Sequence, residues 1–525
     1  MFNPHHQRAR RGIVLGAAAL VAVAGCSGSS APKASKPAAK PAPSTTTTIA
    51  DPSSLGRSTT TAAAGKVVTT SFPTRQGLPF VEPPVVRSVG GVLKTTFDVH
   101  EATFDVGGQQ VSGKTYGPGI LGPTLLVDPG DHIEISLANH LAEETNFHTH
   151  GLHTSPIDIS DNVLRIMAPS SDDPISIDVP EGVAPGTYWY HAHLHGLTEE
   201  QVFSGLAGTL IVNGLTQRLP AALQNVPEHL VALRDVQLDG ASIVTKNINS
   251  DAPTTRTVNG LVNPVLDVAP GQTTLLRLGD LSADIWYRLK LDGATFTVIA
   301  EDANPLGRVE QRNELLLPPG KRFDVLVRWN QPGRYRLRTL PYSTGPAGDS
   351  YPARVLATIN VGGTAIPPSP MPTSLGEIPS LEHDAIAQHR NVVFSENKVG
   401  FFINGKEFDP NRVTFSPKLG TTEEWTIHNV TKEEHPFHIH VNDFQIMSIN
   451  GKRVRSLSLR DTVPLPVGGT VVVRMRFTDF LGRYVFHCHI LAHEDGGMMA
   501  IVDVTADGKP SAPAAAASSG SMPGM

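Results

Sequence analysis

At a prior of roughly 150 residues per domain, 525 residues allow three or four domains, and 40% apolar residues suffice for real cores. A net charge of −6 leaves no global basic field for nucleic acid, and 18% charged residues argue against a charge-driven disordered chain. Two cysteines exclude a disulfide framework, so the unusual feature is the 21 histidines.

In chain order, residues 1–26 come first. Basic residues Arg8, Arg10 and Arg11 precede an apolar run from Ile13 to Ala24, too short for a mature membrane span but suited to a signal-peptide core. The ending Val23-Ala24-Gly25-Cys26 looks like a bacterial lipoprotein box, which implies acylation of Cys26 and a membrane anchor. Arg10-Arg11 offers a twin-arginine export mark as the alternative to general secretion. Residues 27–75 are Ala, Pro, Ser, Thr, Lys and Gly with almost no large apolar side chain, which predicts a disordered tether. Its reach is on the order of 40 Å, from roughly 5–6 Å × √n. The reading is therefore an exported, lipid-anchored protein facing the periplasm or the cell surface.

Between Pro79 and Val504 the pattern is short β-branched runs separated by Gly, Pro, Asn and Asp, as in residues 132–137, 209–212, 274–278, 323–327 and 470–475. Such runs predict antiparallel sandwiches or barrels, and helical periodicity is nearly absent. A loose repeat is visible. The units opening at Gly186, Gly333 and Gly482 read Gly-Thr-Tyr-Trp-Tyr-His, Gly-Arg-Tyr-Arg-Leu-Arg and Gly-Arg-Tyr-Val-Phe-His. Three copies of one β-domain are expected, over 79–214, 226–362 and 380–505, followed by a disordered tail over 506–525. Histidine clusters mark the first and third copies only.

Independent placement predicts about one His-x-His pair in this chain. There are five, within His148-Thr-His150, His191-Ala-His193-Leu-His195, His435-Pro-Phe-His438-Ile-His440 and His487-Cys488-His489. On a strand, residues i and i+2 share a face about 6–7 Å apart, so a pair of imidazoles can converge on one metal or on two neighbouring ones. The last cluster continues to His493, Glu494 and Met498. With His435 it contains the His₂Cys set plus weak axial thioether that favours a blue-copper centre, although a thiolate and two imidazoles also suit zinc. Zinc gives no reason for the histidines flanking the cysteine. In a strand Cys488 points to one face while His487 and His489 point to the other, which predicts a metal centre on each side, on the order of 10 Å apart.

On these motifs, all present in order over roughly residues 79–505, the chain resembles the three-domain multicopper oxidases, the laccase-like proteins, and among them the exported bacterial copper-resistance oxidases. The resemblance implies an all-β fold of three cupredoxin-like Greek-key sandwich or barrel domains. It also implies four copper ions: a type 1 copper on His435, Cys488, His493 and Met498, a type 2 copper on His148 and His438, and a type 3 pair on His150, His191, His193, His440, His487 and His489. The implied activity is one-electron oxidation of a small reducing substrate (Cu⁺, Fe²⁺ or a phenol) coupled to reduction of O₂ to water, in copper detoxification and by a monomer. Glu494 matches an acid that relays protons to the bound oxygen in bacterial members, and Asp161 matches the acid found near the type 2 copper, with Asp158 competing for the second position. The chain departs from the cuprous oxidases in having nine methionines and no dense methionine run; Met167, Met447, Met475 and Met499 read as packing residues. His153 and His195 have no place in the ligand set. A general laccase, a copper nitrite reductase, a copper-free scaffold of the same fold and a copper store are the alternatives.

Overall fold

In the computed structural model of the protein, residues 76–106, 108–245, 248 and 254–511 are described. The signal segment, Cys26, the tether and the end of the tail lie outside them. Among the described residues only Thr198–Ser204 and Leu491–Asp495 are α-helical, and no helix is long and apolar enough to cross a membrane.

Six large sheets form three pairs. Each pair exists because its strands alternate. In Val92–Val106, Leu93, Phe97 and Val99 are buried while Lys94, Thr96 and Asp98 face solvent, the period-2 pattern of a half-buried strand. The first core gathers Phe97, Ile133, Tyr190 and Leu210, the middle one Trp286, Phe296, Val325 and Trp329, and the last Trp425, Phe437, Val473 and Phe486. The sheets are not purely antiparallel. Val92–Val99 runs parallel to His132–Asn139, and the same parallel pairing recurs at Glu228–Leu233 with Leu275–Asp280 and at residues 386–394 with 422–429. Each of these pairs is joined through a long crossover connection rather than a hairpin, which is what lets the two strands run parallel, so an antiparallel reading of short runs misses them. A hairpin at Leu238–Ile243, in the middle copy by sequence, adds to the first sheet through Ser242 opposite Ser112. Near the C-terminus, the Ser511 backbone donates to Asp503 (2.7 Å).

Two features tie the last sheet pair to its neighbours, one to the first pair and one to the middle pair. Asp495 in the helix Leu491–Asp495 accepts the backbone N–H groups of Gly196 and Glu199 (2.7 and 2.8 Å), docking it against the helix Thr198–Ser204. Between middle and last pairs lies a buried ionic network. Glu301 meets Lys321 (2.9 Å) and Arg460 (3.0 Å), and Asp302 meets Lys321 (2.7 Å). Burial raises the Glu301 carboxyl, but Arg460, Lys321 and Arg312 outweigh it and hold the group at about 2. Because the folded value is depressed below the ordinary 4.5, this contribution is complete above about pH 4.5 and is lost as pH falls towards 2. Glu301→Gln, which removes the anionic partner of Arg460 and one of the two partners of Lys321, is expected to cost about 1.5–3 kcal/mol at pH 7. Urea melts of the two proteins between pH 7 and pH 3 test this: the difference should be flat down to about pH 4.5 and shrink below it.

Candidate metal centre

The histidine strands are neighbours within each sheet. His148–His150 pairs antiparallel with Gly186–His191, placing His148 opposite His191 and His150 opposite Trp189. In the last sheet His435–Ile439 pairs with Gly482–Cys488, placing His438 opposite His487 and Phe437 opposite Cys488. Where the first and last sheet pairs meet, His148, His150, His191, His193, His438, His440, His487 and His489 form one cluster, each at most 3% exposed. His148 stacks on His440 (3.9 Å between ring centres) and His150 on His438 (3.8 Å). Nitrogens meet at the centre: His193 Nε2 and His440 Nε2 lie 3.2 and 3.3 Å from His487 Nε2, and His150 Nδ1 lies 3.1 Å from His489 Nε2.

These rings are set up as neutral donors. Burial, reinforced by neighbouring imidazoles, pushes His148, His150, His191, His440 and His489 well below the usual range; burial first also takes His438 to about 3 and His193 and His487 to about 4. A carbonyl oxygen only accepts, so a ring nitrogen bonded to one carries the hydrogen. Nδ1 of His191, His438 and His487 donates to the carbonyls of Ala192, Asp461 and Cys488 (2.8, 2.9 and 2.9 Å), leaving Nε2 with a lone pair. The Nε2 atoms of His148, His191 and His438 are buried without a hydrogen-bond partner. Uncompensated buried acceptors cost free energy, and a soft or borderline cation satisfies several at once.

The second group sits on the other side of Cys488. Its Sγ lies 3.5 Å from His435 Nδ1 and 3.8 Å from His493 Nδ1, and those two nitrogens are 3.2 Å apart. Burial pushes the thiol well up, so a thiolate forms here only beside a cation. Met498 is fully buried in the same core, tied by backbone bonds from Cys488 N to its carbonyl (3.0 Å) and from its N to the His493 carbonyl (2.9 Å). Gly497 makes the turn between His493 and Met498 at φ +111°, where a Cβ would lie 2.9 Å from the Phe401 carbonyl. The side chains of 487, 488 and 489 alternate in facing. The strand ends at Cys488, yet His489 N still donates to the Pro436 carbonyl (2.8 Å) and carries the alternation one residue further.

Multicopper oxidase family models match residues 98–217, 183–363 and 380–508. The multicopper oxidase mco of Staphylococcus haemolyticus is 28% identical over 401 residues, 74% of this chain and 83% of the relative. A laccase of Bacillus subtilis is 30% identical over 365 residues, covering 60% of this chain and 70% of the laccase. This chain belongs to the multicopper oxidase family. A solved structure of the Campylobacter jejuni multicopper oxidase, titled a metallo-oxidase, superposes with TM-score 0.73 at 26% identity over 82% of this chain and 96% of that one. Membership makes the protein an all-β oxidoreductase with copper cofactors, O₂ and a reducing substrate, and the donor set described above fits copper.

In this multicopper oxidase the two acids lie against the histidine cluster. Glu494, with no exposure, has its oxygens 3.3 Å from His193 Nδ1 and 3.0 Å from His487 Nδ1, and burial raises its carboxyl. Asp161 is 2.9 Å from His148 Nδ1 and accepts from the Thr149 hydroxyl (2.6 Å); burial pushes it up to about 7 against those hydrogen bonds. Asp158 is exposed, at φ +57°, and does not touch the cluster. His153 instead joins the Val441 carbonyl and Asp479 (2.7 Å each), and His195 packs on Phe408. Met499 packs with Val163 and Val485.

Sequence reading missed four residues here. Asp461 lies 3.2 Å from His150 Nε2, and Arg322 of the middle sheet pair grips its carboxylate. Glu396 stands 3.7 Å from His435 Nε2 and Glu433 4.0 Å from His493 Nε2. Asp461 is an isolated acid opening the strand Thr462–Leu465, and no spacing rule marks it. Glu433, two residues before His435, is the one that adjacency to a ligand motif makes readable.

Proposed function

We propose that this protein holds four copper ions and couples one-electron oxidation of a metal-cation reductant, Cu⁺ or Fe²⁺, to reduction of O₂ to water, serving copper detoxification. The type 1 ion takes His435, Cys488, His493 and Met498; the type 2 ion takes His148 and His438; the type 3 pair takes His150, His191, His193, His440, His487 and His489. The observation that carries the reading is the contact of Cys488 Sγ with His435 and His493 while the adjacent His487 and His489 join the eight-ring cluster. When bound, copper supplies the one-electron redox steps and the chemistry of O₂ reduction.

The chain's own residues do the rest. His493 is the partly open end, its side chain 11% exposed, so reductant meets the protein at that ring. From Cys488 to His487 the route is one peptide unit, shortened by the bond from His487 Nδ1 to the Cys488 carbonyl (2.9 Å). Glu494 keeps a proton beside His193 and His487, and Asp161 keeps one beside His148, for the protons that O₂ reduction consumes. The aromatic face of Phe401 stacks on His493 at 4.1 Å and limits water there.

Burial raises both carboxyls, Glu433 to about 8, and an approaching cation favours their ionised form, so Glu396 and Glu433 beside the two imidazoles favour a cation over a neutral phenol as reductant, most strongly above pH 8. With Glu396→Gln and Glu433→Gln combined, KM for Fe²⁺ or Cu⁺ is expected to rise about tenfold above pH 8, the loss of roughly 1.4 kcal/mol of attraction, and by less at lower pH, where the two carboxyls hold protons. KM for a neutral phenol should stay put. Equal effects on both donors favour the second reading, a general laccase. The reading also includes export, a lipid anchor at Cys26 and a monomeric state. Copper content, the blue thiolate absorption and oxygen uptake with Cu⁺, Fe²⁺ and a phenol test the whole; protein without that absorption after copper loading contradicts it.

A further inference from the structure

The middle sheet pair supplies no histidine to the cluster, yet its loop Pro318–Arg322 reaches it. Gly320 sits at φ +84°, and a Cβ there would lie 3.0 Å from His150 Cε1 and 3.1 Å from His489 Nε2. Two residues on, Arg322 is fully buried and directs its planar fork at Asp461: Nη1 to Oδ1 at 2.8 Å, Nη2 to Oδ2 at 2.6 Å. The guanidinium is itself held by the carbonyls of Thr187 (3.1 Å), on the strand that ends in His191, and Gly320 (3.1 Å). Lys321 anchors the next residue by donating to the Thr462 carbonyl (2.9 Å).

Asp461 then addresses two stacked rings with opposite results. Its Oδ1, paired with Arg322 and also accepting from the Thr462 hydroxyl (2.8 Å), lies 3.2 Å from His150 Nε2. Its backbone carbonyl accepts from His438 Nδ1 (2.9 Å). Both oxygens accept only, so His150 carries its hydrogen on Nε2 and turns Nδ1 inward, whereas His438 carries it on Nδ1 and turns Nε2 inward. A carboxylate free to rotate could not hold this; a bidentate fork on both oxygens does.

We propose that Arg322 is a positioning residue for copper: by clamping Asp461 it dictates which ring nitrogen His150 and His438 present, so a module without ligands governs copper binding at the cluster. The inference rests on the ligand assignment under Proposed function. Outer partners of this kind change metal affinity roughly 10–100-fold when removed.

The test uses apo protein prepared with ¹⁵N-histidine, then loaded with copper against a competing chelator. In the wild type, long-range ¹H–¹⁵N spectra should show His150 protonated on Nε2 and His438 on Nδ1; the same tautomer in both overturns the proposal. Arg322→Lys keeps the charge and loses the fork, and Arg322→Gln loses both. Cluster affinity should fall roughly 10–100-fold in Arg322→Gln and less in Arg322→Lys. The non-blue copper resonance should change while the blue absorption at Cys488 persists as the sign of an intact last module. Folded variants with wild-type affinity and resonance overturn the proposal. Should neither variant fold, the wild-type tautomers decide. Wild-type protein that takes up no copper in the cluster refutes the ligand assignment instead, a distinguishable result.

Discussion

Replacing Cys488 by serine is expected to abolish both the blue absorption and steady-state turnover with any reductant. Serine matches the shape of cysteine, so the fully buried position stays filled and the core around Phe437, Phe486 and Met498 stays packed. What disappears is the soft, ionisable sulfur facing His435 and His493 at 3.5 and 3.8 Å. A buried hydroxyl does not ionise in the physiological range and is a poor ligand for the metals that thiolate selects. The eight-histidine cluster lies on the other side of the backbone and keeps its own ligands, so the non-blue copper signal should remain. A protein reduced beforehand by dithionite should therefore still react once with O₂. Stopped-flow spectroscopy and oxygen uptake separate the two halves; turnover near the wild-type rate in the serine variant would remove Cys488 from the electron path.

The second large effect is expected at Glu494. Glu494→Gln keeps the volume of a side chain that has no exposure but cannot store or deliver a proton. Reoxidation by O₂ should slow roughly 10²–10⁴-fold, the usual contribution of a positioned acid or base. The blue absorption should stay, because Cys488, His435 and His493 do not touch the altered group. Burial raises the Glu494 carboxyl above its ordinary range, so it retains a proton at pH values where an exposed carboxyl has lost it. Its position between His193 and His487 also permits a purely architectural role, aligning two rings. Copper content distinguishes them: an architectural role lowers occupancy of the cluster, whereas proton delivery slows reoxidation at full occupancy. Unchanged reoxidation kinetics would exclude Glu494 from proton delivery.

The motifs made the two donor groups legible before any fold was known, because H-x-H spacing and a cysteine between two histidines encode facing directly. The acids were harder. Asp161 and Asp158 compete in the sequence, and the contest is decided by the turn after Pro156, which exposes Asp158 and folds Asp161 under Thr149 and His148. The acidic flank at His435 was invisible in part: Glu396 lies 39 positions earlier and arrives only because residues 386–394 run parallel to 422–429.

Local chemistry alone determined that this chain is built of short alternating strands, that it carries two kinds of metal donor sets, and that residues 487–489 present them to opposite sides. These are properties of neighbours within a few residues, where pleat and spacing dictate direction. Only the tertiary structure decided that rings more than 280 positions apart share one buried centre, as His148 does with His440, and that a histidine-free module grips it through Arg322 and Asp461. Those contacts depend on how three separately packed cores dock, through Asp495 on one side and the Glu301–Lys321–Arg460 network on the other, and no local pattern encodes that docking.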